Sequence, residues 1–371
     1  MKSIILYGVR HIELRRNIEY FLDDEYEIIG YSDTWYESDV IDGKRFIPLQ
    51  QLSCQPFDYI VPLSYKESVL TDMCDTLRKH GVPAEKIVKP VMFIHQNAEK
   101  MQLDLVKDIE ESCSGQSCLI FGLSYSLRGI DKSALRISAY DCSWHGLDLY
   151  YNYKLFKHIK SCGRLPGGGG RGGAALLVFP YYIFDYDLSR TLFHYKIGTN
   201  FSLWRLDDWR HYQQVPDGAD YIANYRMFGR KISSFYHFSR YQQQNRHIYQ
   251  GDDHAAVLGK VWFRNYEETA AENRKLFSKF IEALKAEGMT PILIVPPYYM
   301  NGIDTTSKDA VQKKKDRFYH IVRDTAETLK IFDYMDIYSD RRDLFADLTH
   351  LNSKGAEAFT CHINQKVLID T

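Results

Sequence analysis

Two stretches of this 371-residue chain hold side chains that together could attack a carbonyl. Near the middle, Gly122-Leu123-Ser124-Tyr125-Ser126 follows an apolar run at residues 118–121, so a serine stands just past the end of what reads as a strand. Near the far end, Asp347-Leu348-Thr349-His350 puts a carboxylate three residues before an imidazole. A serine hydroxyl is a weak nucleophile until a base takes its proton, and an imidazole serves as that base when a carboxylate fixes its tautomer and orientation. With 13 histidines in the chain, about one Asp-x-x-His is expected by chance, so position must decide. Asp208 and His211 form a second such pair, but within an aromatic segment of little alternation. Gly115-Gln116-Ser117 is a second Gly-x-Ser, but it precedes its strand and would lie at the wrong end of the sheet. Ser126 is a rival nucleophile placed inside the following turn rather than at the strand tip. Ser124, Asp347 and His350 are therefore the candidate catalytic set.

These groups need a sheet to hold them, and the hydrophobic pattern supplies two. In the first 90 residues, apolar runs at 3–7, 27–31 and 55–63 alternate with helical periodicity at 12–22 and 65–80, which predicts a small parallel sheet with crossover helices. The phosphate fingerprint of dinucleotide-binding domains is missing, because Gly8-Val9-Arg10-His11-Ile12-Glu13 has one glycine where a pyrophosphate needs more. Residues 96–114 read as a polar connector. A second α/β pattern follows, with strands at 118–121, 176–179 and 291–295 and an amphipathic helix over 267–288. The glycine-rich run at 163–173 has neither the P-loop Lys-Ser/Thr nor a collagen repeat and reads as a surface loop. Residues 180–265, rich in Tyr, Phe, Trp and His, read as an insertion over the sheet edge and a cap on a pocket.

Composition bounds the partners. Lys+Arg 47 against Asp+Glu 48 leaves a formal charge of -1, so no global field draws in nucleic acid or anionic lipid. Seven irregularly spaced cysteines without C-x-x-C predict free thiols in a reducing compartment, and no metal site is expected. The short apolar run before Gly8 is too brief for a signal peptide, and no window is long enough to cross a membrane. The expectation is a cytoplasmic protein. Lys313-Lys314-Lys315 with Arg317 reads as a solvated helix face.

The ordered set of Gly122 to Asp131, His145-Gly146-Leu147-Asp148-Leu149-Tyr150-Tyr151, the segment 180–189 and the Asp347/His350 pair resembles the SGNH (GDSL-like) hydrolase superfamily. The likeness spans about residues 115–371 and is closest to a bacterial branch with the pattern G-x-S-x-x-x-x-G-I-D. Separately, Gly8, Gly30-Tyr31-Ser32-Asp33 and Asp58-Tyr59-Ile60 resemble the nucleotide-binding-like domain at the front of sugar-modifying enzymes of bacterial polysaccharide clusters, over about residues 1–95. The expected architecture is α/β: a Rossmann-like N-terminal domain, then an SGNH-type, flavodoxin-like three-layer α/β/α domain. The resemblance implies an acyl-serine, with Ser124 as nucleophile, His350 as base then acid, Asp347 orienting it, and the N–H groups of Ser124 and Gly146 holding the oxyanion. The chain departs from the family where Gly-Asp-Ser has Leu123 and where no Gly-x-Asn-Asp follows Phe179, so a third oxyanion donor is unassigned. Asn152, Tyr181 and Asn265 are its polar candidates.

The expected function is a serine esterase or O-acyltransferase acting on a carbohydrate or polysaccharide precursor. Tyr181, Tyr182 and Asn152 are candidate substrate contacts, and Gly8 and Asp33 candidate cofactor-binding positions. No cofactor is required, though a sugar nucleotide or acyl-coenzyme A is a candidate ligand. The alternative is a non-catalytic SGNH-like scaffold or sugar-nucleotide-binding protein of polysaccharide biosynthesis, in which Ser124 caps a helix, an ordinary duty for a serine after a strand. Asn352 and Ser353 are better caps for the final helix than Asp347, which frees Asp347 for His350.

Overall fold

The computed structural model describes residues 1–35, 40–94, 106, 109–110, 113–166, 172–191, 197, 206, 218–231 and 267–368. It is an α/β protein of two units with separate parallel sheets, one formed by 1–105 with 194–238 and the other by 106–193 with 239–371.

In the first unit, β1 (Lys2–Tyr7) lies between β2 (Tyr26–Ser32) and β5 (Tyr59–Pro62), both parallel to it; a small hairpin, β3 (Val40–Ile41) with β4 (Lys44–Arg45), follows β2. Helices α1 (Ile12–Phe21) and α2 (Glu67–Lys79) match the expected helical stretches at 12–22 and 65–80. Ile4, Leu6 and Val61 pack with Leu14 and Ile18, while Ile5, Tyr7 and Ile60 pack with Cys74 and Leu77, so successive strand residues face opposite layers. Gly8 and Asp33 end β1 and β2. Gly8 has φ +95 and donates its N–H to the Ser32 carbonyl (2.9 Å), and a Cβ there would lie 2.5 Å from the Met73 methyl. The positive φ accounts for this glycine, since the Met73 methyl is the end of a flexible side chain. The Asp33 carboxylate accepts the Trp35 N–H (2.8 Å), closing a local turn.

Part of the segment expected to cover the second sheet packs on the first unit instead. Helix α5 (Gly218–Asn224) runs into a π-helical turn, Tyr225–Gly229. Its Asp220 accepts the Lys89 N–H (2.8 Å), and Asn224 donates to the Lys89 carbonyl (2.7 Å). Arg230 pairs with Asp23 at 2.6 Å, and Met227 and Phe228 join the core around Ile4 and Leu6. Helix-borne amide and carboxylate groups thereby satisfy backbone that the small sheet leaves open. Residues 180–191, 197 and 206 of the insertion are also described; the remainder of it, and most of the expected connector at 96–114, lie outside the described residues.

The second unit has five parallel strands: β6 (Cys118–Gly122), β7 (Ala139–Asp141), β8 (Ala174–Val178), β9 (Thr290–Val295) and β10 (Lys330–Asp333). Their spatial order is β10-β9-β8-β6-β7. Counted within the unit this is 2-1-3-4-5, a doubly wound order whose direction reverses between β6 and β8. Ligand crevices in such sheets open at the carboxyl ends of the strands flanking the reversal. The expected strands at 118–121, 176–179 and 291–295 are all present.

Helices α3 (Ser124–Gly129), α4 (Leu149–Ser161), α6 (Glu267–Ala286), α7 (Thr305–Thr325) and α8 (Ser353–Lys366) complete the unit. Cys118, Ile120, Leu176, Ile292 and Ile294 meet Phe359 and Ile363 of α8, while Phe121 meets Phe156 of α4 and Phe280 of α6. In the glycine-rich run, residues 167–171 lie outside the described residues. Gly172 backs onto the Gly288 backbone and Gly173 onto the Ser117 carbonyl, so these two are packing glycines rather than part of a loose loop. The lysine run is a solvated face only in part: Lys313 is exposed and Lys315 half-buried. Lys314 is buried against Asp185 at 2.6 Å, and Arg317 makes two 3.0 Å bonds to Glu267, because α7 lies on the acidic turn that carries Asp185.

Candidate active site

Strand β6 ends at Gly122, and Leu123, still extended, hands the chain to α3 with Ser124 as its first residue. A Cβ at Gly122 would strike the Ser126 hydroxyl and lie 2.7 Å from the Val178 carbonyl, so only glycine allows this exit. The Gly122 N–H is held by Asn152 Oδ1 at 2.9 Å. Ser124 makes no cap bond; its Oγ instead meets His350 Nε2 at 2.8 Å. Ser126 is fully buried and donates to the Leu123 carbonyl (2.8 Å), which removes it as a rival nucleophile.

His350 reaches Ser124 because α8 is fastened to the segment that follows β6. Asp131 donates its N–H to Thr360 Oγ1 (2.7 Å), and Arg136 donates its N–H to Asn364 Oδ1 (2.9 Å). Gly129 lies under Leu351 and Phe359, each 3.8 Å from where its Cβ would stand. Asn352 caps α8 by accepting the Gly355 N–H (3.0 Å), as its sequence position implied. The loop before the cap is closed by a bridge between Phe345 and Leu351 and by the Ala346 N–H on the His350 carbonyl (2.8 Å).

Within that loop Asp347 Oδ2 meets His350 Nδ1 at 2.8 Å, and Oδ1 accepts the N–H groups of Thr349 and His350, each at 2.8 Å. Asp347 is 5% exposed and the imidazole 20%, so the carboxylate is sheltered while the ring reaches the surface. Burial alone would raise the Asp347 carboxyl. Its bond to His350 and the two amides outweigh that and hold it well below the usual carboxylate range. A hydroxyl, an imidazole and a carboxylate therefore stand in one hydrogen-bonded line, and a carboxylate that stays ionised favours the Nδ1–H tautomer, leaving Nε2 to accept from Ser124.

Gly146 lies in the loop after β7 with φ +81, a conformation a residue with a side chain rarely adopts. Tyr186 donates to its carbonyl at 2.9 Å. Asp148, two residues on, caps α4 through the Tyr151 N–H (2.8 Å) and takes the Leu188 N–H (2.8 Å) on its other oxygen.

The expected substrate contacts are engaged elsewhere. Asn152 is fully buried, with Nδ2 donating to the Asp148 carbonyl (2.7 Å) while Oδ1 holds Gly122, so neither end of its amide is left for a substrate or an oxyanion. Tyr181 is buried and donates to Asp333 (2.5 Å), where the Tyr319 hydroxyl also converges (2.6 Å). Tyr182 is buried beside Tyr125, whose ring stacks on His350. Asn265 and the Asp208/His211 pair lie outside the described residues. Sequence reasoning missed Tyr125 and Tyr186, which touch His350 and Gly146; their positions beside the serine and in the segment at 180–189 were the available signal.

Among the described residues, no group of three or more His, Cys, Asp or Glu side chains could hold a metal ion, and no helix is long and apolar enough to cross a membrane. No family model matches the chain, and no curated protein matches it either.

Proposed function

We propose that the second unit is an SGNH-type serine hydrolase or acyltransferase that cleaves an O-acyl ester through an acyl-serine, acting on a carbohydrate or polysaccharide precursor. The observation that carries this reading is the unbroken line Ser124 Oγ, His350 Nε2, His350 Nδ1, Asp347 Oδ2, with 2.8 Å at each hydrogen bond. It sits at the carboxyl end of β6, beside the reversal point of the sheet.

In the proposed reaction His350 Nε2 takes the Ser124 proton as Oγ bonds to the ester carbonyl carbon. The carbonyl electrons move onto oxygen, which the Ser124 and Gly146 N–H groups face in this reading. Each amide donor aimed at such an oxyanion lowers the barrier by about 3 kcal/mol. As the C–O bond breaks, the imidazolium returns its proton to the departing alcohol oxygen and leaves acyl-Ser124. Water, or a sugar hydroxyl in a transferase, then gives its proton to Nε2 and attacks the acyl carbon, and Ser124 recovers its hydrogen. Asp347 stays ionised throughout, consistent with its depressed acidity range.

The carbohydrate assignment rests on the likeness of residues 1–95 to front domains of sugar-modifying enzymes. A fluorophosphonate probe tests the chemistry: wild type should be labelled and Ser124→Ala should not. Equal labelling of both removes Ser124 as nucleophile. Screening O-acetylated sugars beside p-nitrophenyl acetate tests the substrate class, and a preference for the simple ester over every sugar ester would remove it.

A further inference from the structure

Tyr182, an expected substrate contact, belongs instead to a continuous wall of tyrosines around the imidazole. The Tyr125 ring lies face to face with the His350 imidazole, with centroids 5.0 Å apart and planes 11° from parallel. Tyr298 backs Tyr125 at 5.3 Å. The Tyr125 hydroxyl is hydrogen-bonded to that of Tyr182 (3.0 Å), and the Tyr182 ring packs edge-on against Tyr186 at 5.9 Å. The Tyr186 hydroxyl donates to the Gly146 carbonyl at 2.9 Å. One chain of contacts thus runs from His350, the proposed general base, to Gly146, the proposed oxyanion donor. Tyr125, Tyr182 and Tyr298 are buried, so this wall is not a surface for ligand.

We propose that Tyr125 and Tyr186, joined through Tyr182, are positioning residues that fix the His350 ring plane and the Gly146 backbone relative to each other. The inference deepens the esterase reading and rests on it. A flat aromatic face prevents the imidazole from rotating off the line between Ser124 and Asp347. A hydrogen bond on the carbonyl of a glycine at φ +81 fixes a backbone that has no side chain to restrain it. Catalytic groups must be held within about 0.5 Å and 10–20° of their working geometry, and a displacement of about 1 Å costs about 100-fold in rate. Tyrosines, with few rotatable bonds and here buried or half-buried, suit that task.

The test uses the full chain and p-nitrophenyl acetate, comparing wild type with Tyr125→Phe, Tyr125→Leu and Tyr186→Phe. Phenylalanine at 125 keeps the stacked face but loses the hydroxyl link to Tyr182, so kcat should fall about 3- to 10-fold, whereas leucine should lower kcat about 10- to 100-fold, each with little change in KM. Tyr186→Phe, nearly isosteric, should lower kcat about tenfold with KM unchanged. In parallel, the His350 ring C–H resonances, assigned by their loss in His350→Gln, should lie upfield from the Tyr125 ring current and move downfield in Tyr125→Leu alone. Wild-type kcat in both Tyr125→Leu and Tyr186→Phe, a change confined to KM, or unmoved His350 resonances would overturn the inference. If Tyr125→Leu does not fold, Tyr186→Phe carries the kinetic arm and Tyr125→Phe the resonance arm, where an altered His350 signal counts against the stack. If wild type shows no Ser124-dependent turnover, the esterase reading falls, while the resonances still decide whether Tyr125 sets the imidazole plane.

Discussion

Asn152 Oδ1 accepts the Gly122 N–H at 2.9 Å while Asn152 Nδ2 donates to the Asp148 carbonyl at 2.7 Å, so one buried amide joins the end of β6 to the first turn of α4. Asn152→Leu keeps most of the volume and leaves the Gly122 N–H unpaired, while the Asp148 carbonyl still accepts the backbone N–H of residue 152 (3.1 Å). One stranded donor costs about 1–3 kcal/mol, so the variant should lose about that much stability, measured by urea denaturation. A loss below about 0.5 kcal/mol would mean that water replaces the amide at Gly122.

Asp347 should govern both turnover and acid stability. Asp347→Asn favours the wrong imidazole tautomer and should reduce kcat by about 10³–10⁴-fold in a steady-state ester assay. In the unfolded chain an aspartate titrates near about 3.9, and the folded value lies below it. Its ionisation therefore contributes stability that is fully present above that pH and is lost as the pH falls toward the folded value. The stability difference between wild type and Asp347→Asn should be largest near neutrality and shrink below about pH 4. A difference that grows on acidification would contradict the hydrogen-bonding assigned to this carboxylate.

Gly146→Ala places a Cβ on a residue with φ +81, a strain of about 1–2 kcal/mol. If the backbone relaxes toward negative φ, the N–H turns away from the developing oxyanion. The expected outcome is a kcat about 100-fold lower at similar KM, with a small drop in melting temperature. Unchanged kcat in a folded variant would remove Gly146 from the oxyanion site.

The buried pair Lys314 and Asp185 should be far more sensitive to halving than to replacement. Lys314→Met leaves the Asp185 carboxylate, 2% exposed, with only the longer 3.6 Å contact to Arg317 and should cost about 3 kcal/mol, the low end for a broken buried pair. Lys314→Met combined with Asp185→Leu should recover most of that loss, since an apolar pair of similar volume avoids desolvating two charges. Denaturation midpoints of the two single variants and the double variant decide it.

Sequence pattern revealed the sheets where strands are long and apolar, as at Ile4 to Tyr7 and Ile292 to Val295, because burial on both faces leaves a continuous hydrophobic run. The edge strands Ala139–Asp141 and Lys330–Asp333 escaped notice, being short and mixed in polarity with one side unpaired. Ser124, Asp347 and His350 could be singled out because each sits beside a recognisable element boundary. The roles of Asn152, Tyr181 and Lys314 could not, since a buried polar side chain and an exposed one look alike until the partner is known. Asn152 turned from substrate contact to backbone clamp for that reason, and Lys314 from solvated charge to buried ion pair. Likewise the aromatic richness of 180–189 was visible, but composition does not distinguish rings that face a ligand from rings that pack on other rings, as Tyr182 does on Tyr125.

Ser124 and His350 share a hydrogen bond across 226 positions of chain. Under the proposed chemistry, translation therefore delivers the nucleophile long before its base. A nascent polypeptide still lacking the loop before α8 carries an inert alcohol, so no acyl group can be trapped on an unfinished molecule. Maturation of the activity then coincides with docking of the final helix, and removal of the chain beyond β10 would silence the protein while leaving every strand of its larger sheet present.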